Sequence, residues 1–224
     1  MPHHYLQHLT TAPVAAAQQR YGSRAAIERM IAGWDTDALL GADEITFITA
    51  RDGFYLATVN TDGWPYLQYR GGPPGFLHPL DPVAGHSVLA WADVRGNRQY
   101  LSVGNLGCSP RVSLFLMDYA HRRRLKILGT ATVHDIRDGM PAHLAGRFGT
   151  LRTPGVVERL ITVEVHSYDW NCPQHITPRW NEAELHDALA PIRDQLTQLQ
   201  AENDALRDMV RRNRFQQHPS QETS

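Results

Sequence analysis

The feature that most narrows what this chain can fold into is a series of short β-branched and aromatic runs between residues 45 and 170, separated by turn residues rather than helices. Ile45–Ala50, Phe54–Asn60, Tyr66–Arg70, Ser87–Ala92, Val112–Met117, Leu125–His134 and Leu160–His166 each read as strands. Thr61-Asp62-Gly63 is a hairpin turn between two of them, and Gly71-Gly72-Pro73-Pro74-Gly75 interrupts regular structure. Parallel strands need crossovers of a dozen residues or more, usually helical. No regular βαβ unit is present, which disfavours a doubly wound sheet. The expectation is a mainly β chain whose strands form a closed or nearly closed antiparallel barrel.

The flanks differ in character. Residues 1–44 read as a helical, peripheral segment: Ala15–Arg20 are good helix formers, Ser23 is a plausible cap, and Gly33 and Gly41 break the pattern. From residue 181 to 214, Leu185, Leu189, Ile192, Leu196, Leu199, Asn203, Leu206 and Val210 are spaced 4, 3, 4, 3, 4, 3, 4. That is a heptad seam, with Leu189, Leu196, Asn203 and Val210 at a and the others at d, so a coiled-coil helix is expected. Pro191 predicts a kink or restart in that helix. Residues 215–224 read as a flexible polar tail.

Charge excludes one class of function. Lys plus Arg number 22 and Asp plus Glu 23, a net charge of −1, so a whole-domain electrostatic grip on nucleic acid is not expected. No apolar run approaches the roughly 20 residues of a membrane span. Met1–Thr10 lacks a signal-peptide core, and Cys108 and Cys172 form no disulfide framework, so a cytoplasmic protein is expected.

Four polar constellations carry candidate chemistry. Tyr66-Leu67-Gln68-Tyr69-Arg70-Gly71 puts Gln68 and Arg70 on one strand face, and the glycines after them admit close approach of a ligand; an exposed strand face gives the same pattern. Asp93-Val94-Arg95-Gly96-Asn97-Arg98 is a candidate phosphate nest or a capped helix start with solvated arginines. His121-Arg122-Arg123-Arg124 is a nucleic-acid patch, a phosphate clamp or, the more usual case, a hairpin tip with solvated charge. Asp169–Arg179 holds Trp170, Gln174, His175 and Arg179, suited to a flat ring and an anionic substrate, around a Cys172 with no fixed partner. The twelve histidines show no HExxH or similar spacing, so no metal site is expected.

Three blocks, FYLATVNTDGWPYLQYRGGPPGF (54–76), ADVRGNRQYLSVGNL (92–106) and RVSLFLMDYAHRRRLKILGTATV (111–133), resemble in order and spacing the pyridoxamine 5′-phosphate oxidase-related FMN-binding proteins. The resemblance implies a six-stranded antiparallel split β-barrel over 45–180, with peripheral helices, working as a homodimer with FMN at the subunit interface. It implies cofactor contacts from Gln68, Tyr69, Arg70, Gly71, Asn97, Arg98 and Arg124, with Gln174 near the end of the barrel and with Trp170 and Arg179 there lent to the flavin of the other subunit. His175 and Arg179 would face a small-molecule substrate or electron donor as the catalytic pair. The family's Arg-x-His-x-Arg pattern is replaced here by Gln174-His175-Ile176-Thr177-Pro178-Arg179, which argues against pyridoxamine phosphate oxidation itself. The activity implied is an FMN-dependent oxidoreductase. The alternatives are a flavin-binding redox-sensing module with little turnover, or a deazaflavin- or haem-binding relative.

Overall fold

The structure is a computed structural model that describes residues 4–32, 39–139, 144, 155–170 and 174–217. The chain divides into two compact units, the first ending at Thr177 and the second beginning at Pro178. Three short helices open the first: α1 (His4–Leu9), α2 (Ala12–Arg20) and α3 (Arg24–Ala32). Helix α4 (Ala42–Thr49) follows.

Seven antiparallel strands make one sheet in the order β2-β1-β5-β6-β7-β4-β3. They are β1 (Gly53–Val59), β2 (Pro65–Gly71), β3 (His78–Val83), β4 (His86–Val94), β5 (Arg111–Asp118), β6 (Arg123–Asp135) and β7 (Val157–Trp170). Helix α5 (Leu101–Cys108) interrupts them after β4. Hairpins connect β1 to β2 and β5 to β6, as the turn chemistry predicts. In the first, Asn60 Oδ1 accepts from the Asp62 and Trp64 amides and Gly63 takes a φ of +83°. Across β6 and β7 a bulge follows Leu128, and a Cβ on Gly129 would collide with the Glu164 backbone.

Two expectations are corrected. Ile45–Ala50 is helix, not strand, because the Glu44 carboxylate takes the Gly41 N–H at 3.0 Å and caps the first turn. The helix lets Phe47 and Ile48 enter the core together, which strand alternation forbids. The strand count is seven rather than six, because His78–Val83 is also a strand despite Pro79 and Pro82. It pairs only with β4, and an edge strand tolerates a missing N–H.

Inward positions on the strands form a continuous apolar core that includes Phe54, Leu56, Trp91, Leu114, Leu116 and Ile127. The sheet is curled enough for Phe54 of β1 to meet Trp91 of β4 edge-on at 5.1 Å, although β5, β6 and β7 separate them in the order. Helix α4 closes one end. Phe47 lies 4.7 Å from Trp170, whose indole N–H donates to Glu44 at 2.6 Å and whose face is covered by the Arg123 guanidinium at 4.6 Å. Nearby, Asp118 ends the inward stripe of β5. Burial pushes its carboxyl up, but the His121 amide at 2.9 Å, the Arg51 guanidinium at 3.1 Å and the His121 ring outweigh that and hold it below the usual carboxylate value.

The second unit is one helix, α6 (Glu182–Gln217), capped by reciprocal bonds between Asn181 and Glu184. The helix does not restart at Pro191; it runs through the proline, whose missing N–H leaves one helical hydrogen bond unmade. No described helix is long and apolar enough to cross a membrane.

Two outcomes follow from this packing. Phe47→Ala should cost about 3–5 kcal/mol in the urea-unfolding free energy and red-shift the Trp emission as Trp170 loses its cover. Because the Asp118 pKa is lower folded than unfolded, its contribution is complete above the ordinary carboxylate value and fades as pH falls through the depressed one. Asp118→Asn should therefore reduce stability at neutral pH and flatten its fall in acid, read from unfolding midpoints between pH 7 and about 2.5.

Candidate functional site

The inward stripe of β4 runs Leu89, Trp91, Asp93, and that of β7 runs Val165, Val163, Ile161, Arg159, so each apolar row ends on a charge. Asp93 and Arg159 are direct partners in the ladder and both are buried. On β2 the same face carries Gln68 and Arg70, because Arg70 opposes the buried Phe54 and Gln68 the buried Leu56. The curl brings these rows together. Arg70 donates to Asp93 Oδ1 at 2.6 Å, and Arg159 Nε donates to Asp93 Oδ2 at 2.8 Å. One carboxylate is thus held between two guanidiniums that come from strands far apart in the order.

The loop after β4 covers this network. Asn97 accepts the Gln99 amide at 3.1 Å, and Arg98 and Tyr100 adopt φ of +64° and +54°, the left-handed region that ordinary side chains avoid. The turn lays the Tyr100 ring 4.9 Å from the Arg159 guanidinium. Helix α5 begins immediately after, and Ser102 donates to Gln68 at 2.9 Å. A small pocket of about 50 Å³ results, lined among others by Gln68, Arg70, Asn97, Arg98 and Arg159. A larger cavity of about 550 Å³ shares Arg98, Tyr100 and Arg159 with it.

The charge of the small pocket is unbalanced. Three guanidiniums, Arg70, Arg98 and Arg159, line it against the single carboxylate of Asp93. Glu158, in the adjoining cavity, is occupied by Arg95 at 2.7 Å and Arg159 at 2.9 Å; those arginines, Arg95's bond first, hold its carboxyl below the ordinary value. Arg70 Nε is buried and has no hydrogen-bond partner. Above Gly96 there is open space where a Cβ would stand. A site with surplus guanidinium charge, an unpaired buried N–H and an open backbone is suited to an oxyanion.

The structure gathers four of the expected residues, Gln68, Arg70, Asn97 and Arg98, into this one pocket. Others are elsewhere. Tyr69 and Gly71 alternate onto the outer face of β2, where a Cβ on Gly71 would come within 2.8 Å of the Tyr69 ring; the glycine serves the tyrosine's packing. Arg124 precedes the inward Leu125 and so faces outward, away from Gln68 and Arg70. Trp170 is eleven residues along β7 from Arg159, about 36 Å at 3.3 Å per residue, and is held by Glu44, Phe47 and Arg123 of its own chain. Gln174 and His175 are exposed, His175 with a φ of +63°, and Arg179 belongs to the second unit. Cys172 lies outside the described residues. Arg159 and Tyr100 belong to the site without having been expected there. Arg159 was marked in the sequence by parity alone, since it continues the Ile161-Val163-Val165 row.

No family model and no curated protein matches the chain. Solved structures do. HupZ of Group A Streptococcus is 12% identical with a TM-score of 0.45, over 63% of this chain and 100% of its own. A Clostridium acetobutylicum protein related to general stress protein 26, of the pyridoxinephosphate oxidase family, is 12% identical with a TM-score of 0.36, over 60% and 88%. An F420 reductase is 20% identical with a TM-score of 0.36, over 55% and 94%. Of the three, the Clostridium acetobutylicum protein carries the name of the family that the sequence resembles.

Breaking the network from its centre is the sharpest check on this geometry. Asp93→Asn leaves Arg70 and Arg159 facing each other without a carboxylate, and removal of one partner from a buried ion network costs about 3–5 kcal/mol. The urea-unfolding free energy should fall by that amount, and added inorganic phosphate should recover part of it.

Proposed function

We propose that this chain is an FMN-dependent oxidoreductase of a small molecule, built as a split barrel and acting as a cytoplasmic homodimer whose copies share the flavin. The observation that carries the reading is the gathering of Gln68, Arg70, Asn97 and Arg98, from two separate sequence blocks, into one pocket with surplus guanidinium charge. The residues present fit the phosphate end of the cofactor: Arg98 at the rim, the unpartnered Nε of Arg70 inside, and the open backbone at Gly96. About 50 Å³ does not admit a three-ring system, so the flavin ring would lie outside the small pocket, against the adjoining cavity and the second copy.

When bound, FMN would supply the redox chemistry. The chain's own residues bind and orient. Arg98 and Arg70 neutralise the phosphate, Ser102 fixes the Gln68 carbonyl oxygen and so turns its amide N–H₂ away from Ser102, and Tyr100 shields Arg159 from water. His175 and Arg179 are the candidates to meet the substrate.

A specific observation favours a second reading, a flavin-binding sensor with little turnover. Trp170 spends its indole N–H on Glu44 and its face on Arg123 of its own subunit, which leaves it no free donor for a flavin bound by either copy, and the Arg-x-His-x-Arg pattern of the oxidases is replaced. Bleaching of the yellow protein by NADH or NADPH and reoxidation in air separates the two: the oxidoreductase cycles with an acceptor and the sensor does not. The visible spectrum of the purified protein distinguishes FMN from deazaflavin and haem.

Arg98→Ala should weaken FMN by about 10- to 150-fold, the worth of charge-assisted bonds of roughly 1.5–3 kcal/mol, while leaving riboflavin affinity almost unchanged. Fluorescence-quenching titrations with both ligands measure the contrast. Equal weakening places Arg98 away from the phosphate.

A further inference from the structure

Helix α6 is 36 residues long, about 54 Å at 1.5 Å per residue. Five of its seam residues, Ile192, Leu196, Leu199, Leu206 and Val210, are between 53% and 62% exposed. A helix whose other faces are charged has no reason to present such a stripe to water unless something covers it. The unbroken course through Pro191 extends the stripe upstream to Leu185, because the proline sits at a c position, off the a and d rows. That gives about four heptads rather than a seam broken at the proline.

We propose that the occupant of this face is the same helix of a second copy of this chain, in a parallel, in-register coiled coil. Three features of the helix select that partner. Asn203 is at an a position, where its amide pairs with its own copy only if the helices are parallel and in register; in an antiparallel pair a meets d′, and Asn203 would be buried against isoleucine or leucine. The parallel register sets Glu202 at g beside Arg207 at e′, and Gln195 beside Gln200, with no like charges opposed. An antiparallel pair instead sets e beside e′, where Arg193, Gln200 and Arg207 offer no carboxylate. The partners these side chains have within one helix are weak: Gln198 donates to Glu202 at 3.0 Å on the surface, and Arg207 stands 3.8 Å from Asp204. Exchanging them costs little.

The inference is independent of any flavin, and the test is run on the full chain with and without added FMN. In a chain with Cys108→Ser and Cys172→Ser, Asn203→Cys should form a disulfide-linked dimer under mild oxidation at least about tenfold faster than Asp204→Cys, because position 203 lies in a core layer that can bring two Cβ atoms toward the ~3.5–4.5 Å a disulfide needs, whereas position 204 is a b position facing away from the partner. In an antiparallel pair centred on the seam the two copies of residue 203 would be about 15 Å apart, and Asn203→Cys would not crosslink. Leu199→Asp gives a second readout: the dimer dissociation constant measured by sedimentation should rise at least tenfold. Equal crosslinking at 203 and 204, or a dimer in which Asn203→Cys stays reduced, overturns the proposal, as does a dissociation constant unmoved by Leu199→Asp.

Discussion

Asp93 is the residue on which fold and site both depend. The sheet order ends on β2 at one side and β3 at the other, and no backbone ladder joins those edges among the described residues. The open side near β2 is held instead by side chains, through Arg70–Asp93 and Arg159–Asp93 at 2.6 and 2.8 Å. Desolvating three charges is costly, and it is tolerated only where geometry and hydrogen bonding are good on every side. Here the carboxylate uses both oxygens, and Arg159 is further bonded to Glu158 and stacked on Tyr100. A hydrophobic substitute of similar volume could close the seam as well, but it would leave no charge behind. The ionic closure leaves a surplus of guanidinium at the surface end of the core.

The two ends of the curled sheet are closed by different physics. At the α4 end the closure is aromatic and saturated. Phe47 and Arg123 cover Trp170, and Glu44 takes its only N–H. The indole has no further donor to offer a ligand, although the Arg124 Nε close by on β6 is, like that of Arg70, buried without a partner. At the Asp93 end the closure is ionic and incomplete, with an unpartnered Arg70 Nε and a strained turn at Arg98 and Tyr100. Strain in a non-glycine turn is kept where the surrounding contacts over-determine it, and it is commonest where a ligand is held. The surplus guanidinium charge and the strained turn, rather than an unpartnered N–H alone, are what set the Asp93 end apart.

What the sequence disclosed, and what it hid, follows the range of the deciding interaction. Hairpins set by Asn60 and Gly63, strand alternation, and the heptad rows are local periodicities, and they were legible. The grouping of Gln68 with Arg70 was legible for the same reason. Ile45–Ala50 was misread because its β-branched residues carry a strand pattern, while the Glu44–Gly41 cap and the docking of Phe47 are settled by tertiary contacts. His78–Val83 was hidden by its prolines, since only the sheet order shows it to be an edge. Arg124 was grouped with the phosphate residues by resemblance, but one step of strand parity puts it on the outer face. The same parity marks Arg159 as inward, and applying it to β7 would have located the second arm of the Asp93 bridge.

The surplus charge couples ligand binding to closure of the sheet. With Asp93 saturated, Arg70 and Arg159 repel each other across it, and Arg98 adds a third like charge at the rim. A dianion seated there would relieve that repulsion, meet the unpartnered N–H of Arg70, and tie the β4–α5 loop to β2, which no backbone ladder does. Stability would then rise with ligand as RT ln(1 + [L]/Kd). The effect would be concentrated at the seam, where the three guanidiniums of the pocket face one carboxylate. An incompletely neutralised closure makes the open edge near β2 the place where a bound dianion would contribute most to holding the fold together.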